Sequence, residues 1–176
     1  MLLDLAQLQE MHPKLPGDVA LLLVTRAGLG LQRNGHRPGV GVSLDLDRVP
    51  SRGSLAWPDA DMAKLEQHDR DRVTEDGAEA VALAAVHRAR GWRVVRRLQR
   101  RHHADWLLEQ EQPGEERRLR AALEVSGVGR GGVATRLREK LAQVANSPDV
   151  DERWAGVVGF EEPEVALHST GGGRGR

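Results

Sequence analysis

The chain predicts an α/β fold whose main unit, residues 59–168, runs helix, three-stranded meander, helix, strand. Three observations predict it. The alanine-rich run Ala78–Arg90 has high helix propensity and ends at Gly91, a residue that closes helices in the left-handed conformation. Three β-rich segments follow, with a Pro-Gly turn before the last. Then Val133, Leu137, Leu141 and Val144 recur at helical spacing, ahead of an apolar run with the character of a buried strand.

In chain order, residues 2–11 read as a short helix and Val19–Thr25 as a strand rich in valine, leucine and threonine. The Asn34-Gly35 pair is a hairpin-turn signal, and Val40–Leu46 alternates apolar and polar residues as a returning strand would. Residues 48–60, with Pro50, Gly53 and Pro58, read as a linker or covering loop anchored by the packing of Trp57. Residues 1–58 are thus expected to form an N-terminal helix and β-hairpin extension with its linker.

A charged helix is expected from Asp59 through Arg72, capped by Asp59 or Asp61 and separated by Thr74–Gly77 from the helix Ala78–Arg90. Strands at 92–98, 104–109 and 119–128 form the meander, with Gln112–Glu116 turning between the last two. A helix over 133–145 and a strand over 154–160 complete the unit. The glycine-rich end, residues 169–176, reads as a disordered tail.

Composition narrows the function. Lys+Arg 26 balances Asp+Glu 26, which argues against coating nucleic acid by bulk charge but leaves local basic patches open. The absence of cysteine excludes disulfides, thiolate nucleophiles and cysteine-ligated zinc. Four tryptophans, Phe160 and no tyrosine leave little for an aromatic base-stacking platform, so nucleic-acid contacts would run through arginine and backbone. No apolar run approaches a membrane span and no basic leader precedes one, so a cytoplasmic protein without a membrane partner is expected. Self-association is left open.

The chemistry concentrates in Asp105 and in Glu124 of Ala121–Ser126, two carboxylates on neighbouring strands between helices. Alternation places Asp105 with Leu107, and Glu124 with Ala122 and Ser126. Two acids at adjoining strand ends repel unless a cation neutralises them, and a divalent metal is the usual solution.

With those residues and that order of elements, residues 74–167 resemble the core of the PD-(D/E)XK nuclease superfamily, a restriction-endonuclease-like fold. The resemblance implies metal-dependent phosphodiester hydrolysis of nucleic acid, DNA ahead of RNA, with magnesium or manganese as cofactor. It implies Asp105 and Glu124 as metal ligands, and Glu79 or Glu75 as a further acid on the first core helix acting through water.

One departure stands out. Two residues beyond Glu124, where the family has lysine, this chain has Ser126. Lysine is scarce here, found only at Lys14, Lys64 and Lys140, and Arg136, Lys140 and Gln143 share one stripe of the helix that follows. Lys140 is therefore a candidate to supply the missing charge as a catalytic residue. The alternative is that Arg136 and Lys140 are a solvated face and the chain is a catalytically inactive nuclease-fold module that binds nucleic acid or protein.

Arg130, in the loop Gly127–Gly132, and Arg136, Gln143, Arg100 and Arg101 are candidate substrate contacts. The loop lacks the lysine-hydroxyl ending of a nucleotide-binding loop, so no nucleotide cofactor is expected. His102 and His103 point to opposite faces if on a strand, and read as part of the basic run that begins at Arg96.

Overall fold

The computed structural model describes residues 1–99, 103–112, 114, 117–147 and 149–171. It is an α/β structure built on one mixed eight-stranded sheet. The strands are β1 (Leu2–Asp4), β2 (Val40–Leu46), β3 (Val49–Ala56), β4 (Arg93–Arg97), β5 (Trp106–Gln110), β6 (Leu119–Val128), β7 (Glu152–Gly159) and β8 (Glu164–Ser169), in the order β1-β3-β2-β8-β7-β6-β5-β4. The helices are α1 (Leu8–Met11), α2 (Gly17–Arg33), α3 (Arg70–Arg90) and α4 (Val133–Val144).

The expected strand at Val19–Thr25 is instead the first half of α2. Its buried residues Ala20, Leu23, Val24, Ala27 and Leu31 recur at intervals of three and four, the period of a helix with one face on the core. Asn34-Gly35 stops this helix instead of turning a hairpin. Gly35 takes φ +81°, its N–H donates to Gln32 O, and the His36 N–H donates back to Leu31 O, the paired bonds of a Schellman ending.

The hairpin expected near the N-terminus exists, but between β2 and β3. It turns at Asp47 and Arg48, both with positive φ (52° and 67°), as a two-residue type I′ turn requires. Residues 48–60 are therefore mostly strand and not linker. Pro50 is accommodated because β1 pairs with β3 only at Ser54–Ala56, which leaves that part of β3 at the sheet edge.

At the N-terminus, β1, a 3₁₀ turn (Leu5–Gln7) and α1 replace the single short helix. The charged helix expected over 59–72 is a 3₁₀ turn, Met62–Gln67, capped by Asp61; α3 then starts at Arg70, where the Asp69 carboxylate accepts the Arg72 N–H. Thr74–Gly77 is continuous helix. Gly77 lets α3 cross α2 closely, since a Cβ there would lie 2.9 Å from Ala27 Cα.

The meander β4-β5-β6 is antiparallel throughout, α4 follows, and β7 lies parallel to β6 from Ala121↔Glu152 to Val128↔Gly159. This part of the chain follows the expected order of elements. Beyond it, β8 was not expected: Glu164–Ser169 pairs antiparallel with β7 and parallel with β2. Through β8, the strands of residues 1–58 and those of the meander form one continuous sheet. Of the tail expected over 169–176, Ser169 closes β8 and holds Asp47 through its N–H and hydroxyl, while residues 172–176 lie outside the described residues.

One face of the sheet carries the larger core. Leu123 and Val125 of β6 pack there with Ala78, Val81 and Ala82 of α3 and the buried face of α2. The other face carries Ala122, Ala155 and Val157 beneath Leu137 and Val144 of α4. Alternation along β6 thus assigns odd residues to α3 and even residues to α4, which sets where Glu124 and Ser126 point.

Candidate metal and phosphate site

Glu124 sits in the middle of β6, on the α4 side, and is buried. The ladder Trp106↔Leu123, Leu107↔Ala122 continues by one residue to set Asp105 across from Glu124. Asp105 is fixed there by three bonds. Its N–H donates to Leu123 O (2.9 Å), its carbonyl accepts the Leu98 N–H (2.7 Å), and its Oδ2 accepts the Val125 N–H at 2.8 Å. Among the described residues, only Oδ2 of that carboxylate is engaged.

Lys140 reaches the same place from α4. Its Nζ donates to Glu124 Oε1 at 2.5 Å and to Gln143 Oε1 at 3.2 Å, with side chains 17% (Lys140) and 5% (Glu124) exposed. One turn earlier, Arg136 Nε donates to Ser126 Oγ at 3.1 Å, and its guanidinium also holds Glu139 at 3.0 Å. The stripe Arg136, Lys140, Gln143 therefore lies over the strand positions 124 and 126. Lys140 is partly buried against a carboxylate and is not a solvated residue.

The electrostatics match two buried acids on adjoining strands. Burial pushes the Glu124 carboxyl above its ordinary range and the Asp105 charge pushes it further, while Lys140 and Gln143 oppose the rise. Asp105 is also raised, first by burial and to a lesser degree by Glu75, against the pull of the Val125 N–H, Lys140 and Arg97. The pair holds more negative charge than one lysine compensates.

Glu79 is on α3, on the other face of the sheet. Its Oε2 accepts the Trp106 indole N–H at 3.2 Å and pairs with the Arg97 guanidinium, which in turn lies 4.6 Å from the Trp106 ring centroid. Burial pushes the Glu79 carboxyl up to about 7, with Asp105 adding to the rise and Arg97 and Trp106 opposing it. The Asp105 charge is thus felt at Glu79, although the hydrogen bonds of Glu79 go to Trp106 and Arg97. Among the described residues, no group of three or more histidine, aspartate or glutamate side chains is arranged to hold a metal ion.

Comparison with protein-family models, with curated proteins and with solved structures gives no match. The chemistry of the site is accordingly read from its own residues.

As donors, Asp105 and Glu124 are carboxylate oxygens on one sheet face, with one Asp105 oxygen unengaged among the described residues. Magnesium is commonly held by one or two carboxylates and keeps several waters, so the pair fits such an ion without a third direct ligand. Of the other expected site residues, Arg130 and Arg136 line an open groove of about 830 Å³ together with Glu75. Arg100, Arg101 and His102 lie outside the described residues. His103 is exposed with φ +54°, and its carbonyl accepts the Ser147 hydroxyl at 3.3 Å.

Arg97 and Trp106 were not singled out from the sequence as site residues. Trp106 directly follows Asp105, so alternation sends it to the α3 face, where a buried indole needs an acceptor and Glu79 provides it. That signal is legible only once α3 is known to cover this part of the sheet.

Proposed function

We propose that the chain hydrolyses phosphodiester bonds of nucleic acid, DNA ahead of RNA, in the manner of PD-(D/E)XK nucleases, with Lys140 of α4 in place of the lysine absent at Ser126. The observation that carries this reading is the Lys140–Glu124 contact at 2.5 Å beside Asp105. The order helix, antiparallel meander, helix, parallel strand supports it.

Asp105 and Glu124 would hold magnesium or manganese, while Glu79, turned to Trp106 and Arg97 on the other face of the sheet, would bear on the ion only through its charge. Such an ion supplies a polarised phosphoryl oxygen and a more acidic water. The Val125 N–H keeps Asp105 oriented, and Gln143 fixes the aim of the Lys140 ammonium toward the carboxylates. Lys140 would orient the attacking water or stabilise charge developing on the phosphoryl oxygens. Arg136, anchored on Ser126, would meet a neighbouring phosphate.

A second reading is favoured by the same ion pair, because Lys140 already neutralises Glu124 in this state. On that reading the chain is a non-catalytic module of the same fold that binds nucleic acid or protein.

Cleavage of single-stranded and duplex DNA and RNA in magnesium or manganese separates the two. Wild-type protein should cleave, and Lys140→Ala should cut the rate by roughly two powers of ten, the scale of losing one preorganised electrostatic stabiliser. Ser126→Lys in that background should restore part of the activity, since position 126 shares the face of Glu124. Cleavage indifferent to Lys140→Ala contradicts the role of Lys140, and a wild type inert on every substrate favours the module.

A further inference from the structure

Beside the acid pair, the 830 Å³ groove runs between the end of α2, the N-terminal turns of α3 and the loop from β6 to α4. Its wall carries four guanidiniums, Arg33, Arg70, Arg130 and Arg136, against the carboxylates of Asp71 and Glu75. Two of the four are already tied down: Arg33 donates to the Thr74 hydroxyl at 3.3 Å and Arg136 to Ser126. Arg70 and Arg130 are exposed, and neither guanidinium has a hydrogen-bond or ion-pair partner among the described residues.

Arg136 ties the groove to the strand that carries Glu124. It lines the groove while resting on Ser126, two positions from Glu124 and on the same strand face. Among the described residues no aromatic side chain lines it, so it offers no stacking surface for a base. Guanidiniums in a fixed fork suit phosphate oxygens.

We propose that this groove holds the phosphate backbone of a nucleic-acid strand to one side of Asp105 and Glu124, through Arg70 and Arg130 above all, and reads no bases. The inference rests on the nucleic-acid reading of the site and adds to it the path of the strand and an indifference to sequence. The net charge of the chain is zero, so binding of this kind depends on a few local cations and is steeply sensitive to salt.

The test is fluorescence anisotropy with end-labelled oligonucleotides, a thymidine homopolymer, a mixed-sequence strand and a mixed-sequence duplex, in chelator and across a potassium chloride series. The two strands should bind wild-type protein with affinities within about threefold of each other, as backbone contacts carry no sequence information. Arg70→Ala and Arg130→Ala should each weaken all probes uniformly and reduce the slope of log affinity against log salt by about 0.7 for a strand and 0.9 for the duplex. Arg70→Glu and Arg130→Glu should weaken binding further, with thermal melting confirming the fold of every variant.

Affinity and slope unchanged in the Arg70→Ala/Arg130→Ala double variant overturn the groove, as does strong preference for one strand sequence or no binding of any probe. Because no metal is present, binding that follows this pattern with no cleavage in magnesium would refute the nuclease reading and leave the groove standing. Intact cleavage with binding indifferent to Arg70 and Arg130 would do the reverse.

Discussion

Glu79 lies beneath Trp106 with its carboxyl raised to about 7, and the sign of its effect on stability follows. Between the ordinary glutamate value and about 7 the folded chain binds the proton more tightly than the unfolded one, so stability falls as pH rises through that window. Glu79→Gln, which keeps an acceptor for the Trp106 indole, should therefore melt near wild type at pH 5. At pH 8 in chelator it should be more stable, by roughly 3 kcal/mol at most. Denaturant titrations at the two pH values check this, and a variant whose gain is equal at both contradicts the burial-driven shift. His12 makes its own pH effect in the same range, which is common to both proteins and cancels in their difference. Its Nδ1 accepts the Val94 N–H and its Nε2 faces Leu83 O, and burial lowers it to about 4. Residue by residue, the acid pair was legible because strand parity and the meander suffice to oppose Asp105 and Glu124. Lys140 was legible as a spacing on α4, while its inward turn onto Glu124 was not. Arg97 and Trp106 were hidden because their role depends on α3 lying across the opposite face.

At the scale of elements, each departure from the expected order has its own physical cause. Val19–Thr25 is apolar enough for either strand or helix, and only the buried stripe through Leu31, beyond that segment, fixes the period. Asn-Gly then carries two meanings, hairpin turn or helix ending, and the two bonds from Gly35 and His36 back into the last turn select the second. The Asp47-Arg48 turn was invisible because arginine stands at the second position, where a type I′ turn usually has glycine. By contrast the core helix, meander and α4 were readable, since glycine endings and long periodic runs leave fewer alternatives. One contact between elements bears directly on the site. A Cβ at Gly127 would lie 2.3 Å from Thr74 O, backbone against backbone, whereas one at Gly129 would meet nothing within 4 Å. Gly127→Ala should force β6 away from α3 and cost about 1–3 kcal/mol, the range for overpacking. Gly129→Ala should be close to neutral. Thermal melts of the two variants check the contrast, and equal melting temperatures would contradict the close approach.

Across the whole molecule, β8 is the piece that changes the architecture. It lies between β7 and β2 and makes one sheet of strands that sequence patterning divides between an extension and a core. Its residues Val165, Ala166 and Leu167 are buried, and a six-residue strand next to a glycine-rich end gave no separate signal. No helix among the described residues is long and apolar enough to cross a membrane. On this scaffold the acid pair sits between the larger core and α4, where burial raises both carboxyls and a bound cation would relieve them. The most direct test is calorimetric titration of wild type and Asp105→Asn with magnesium and with manganese. The amide introduced by Asp105→Asn keeps an oxygen for the Val125 N–H but removes the charge beside Glu124, so the metal-free variant should fold as well as wild type or melt slightly higher. The account predicts measurable metal binding by wild type and none by Asp105→Asn; unchanged affinity in the variant would contradict it.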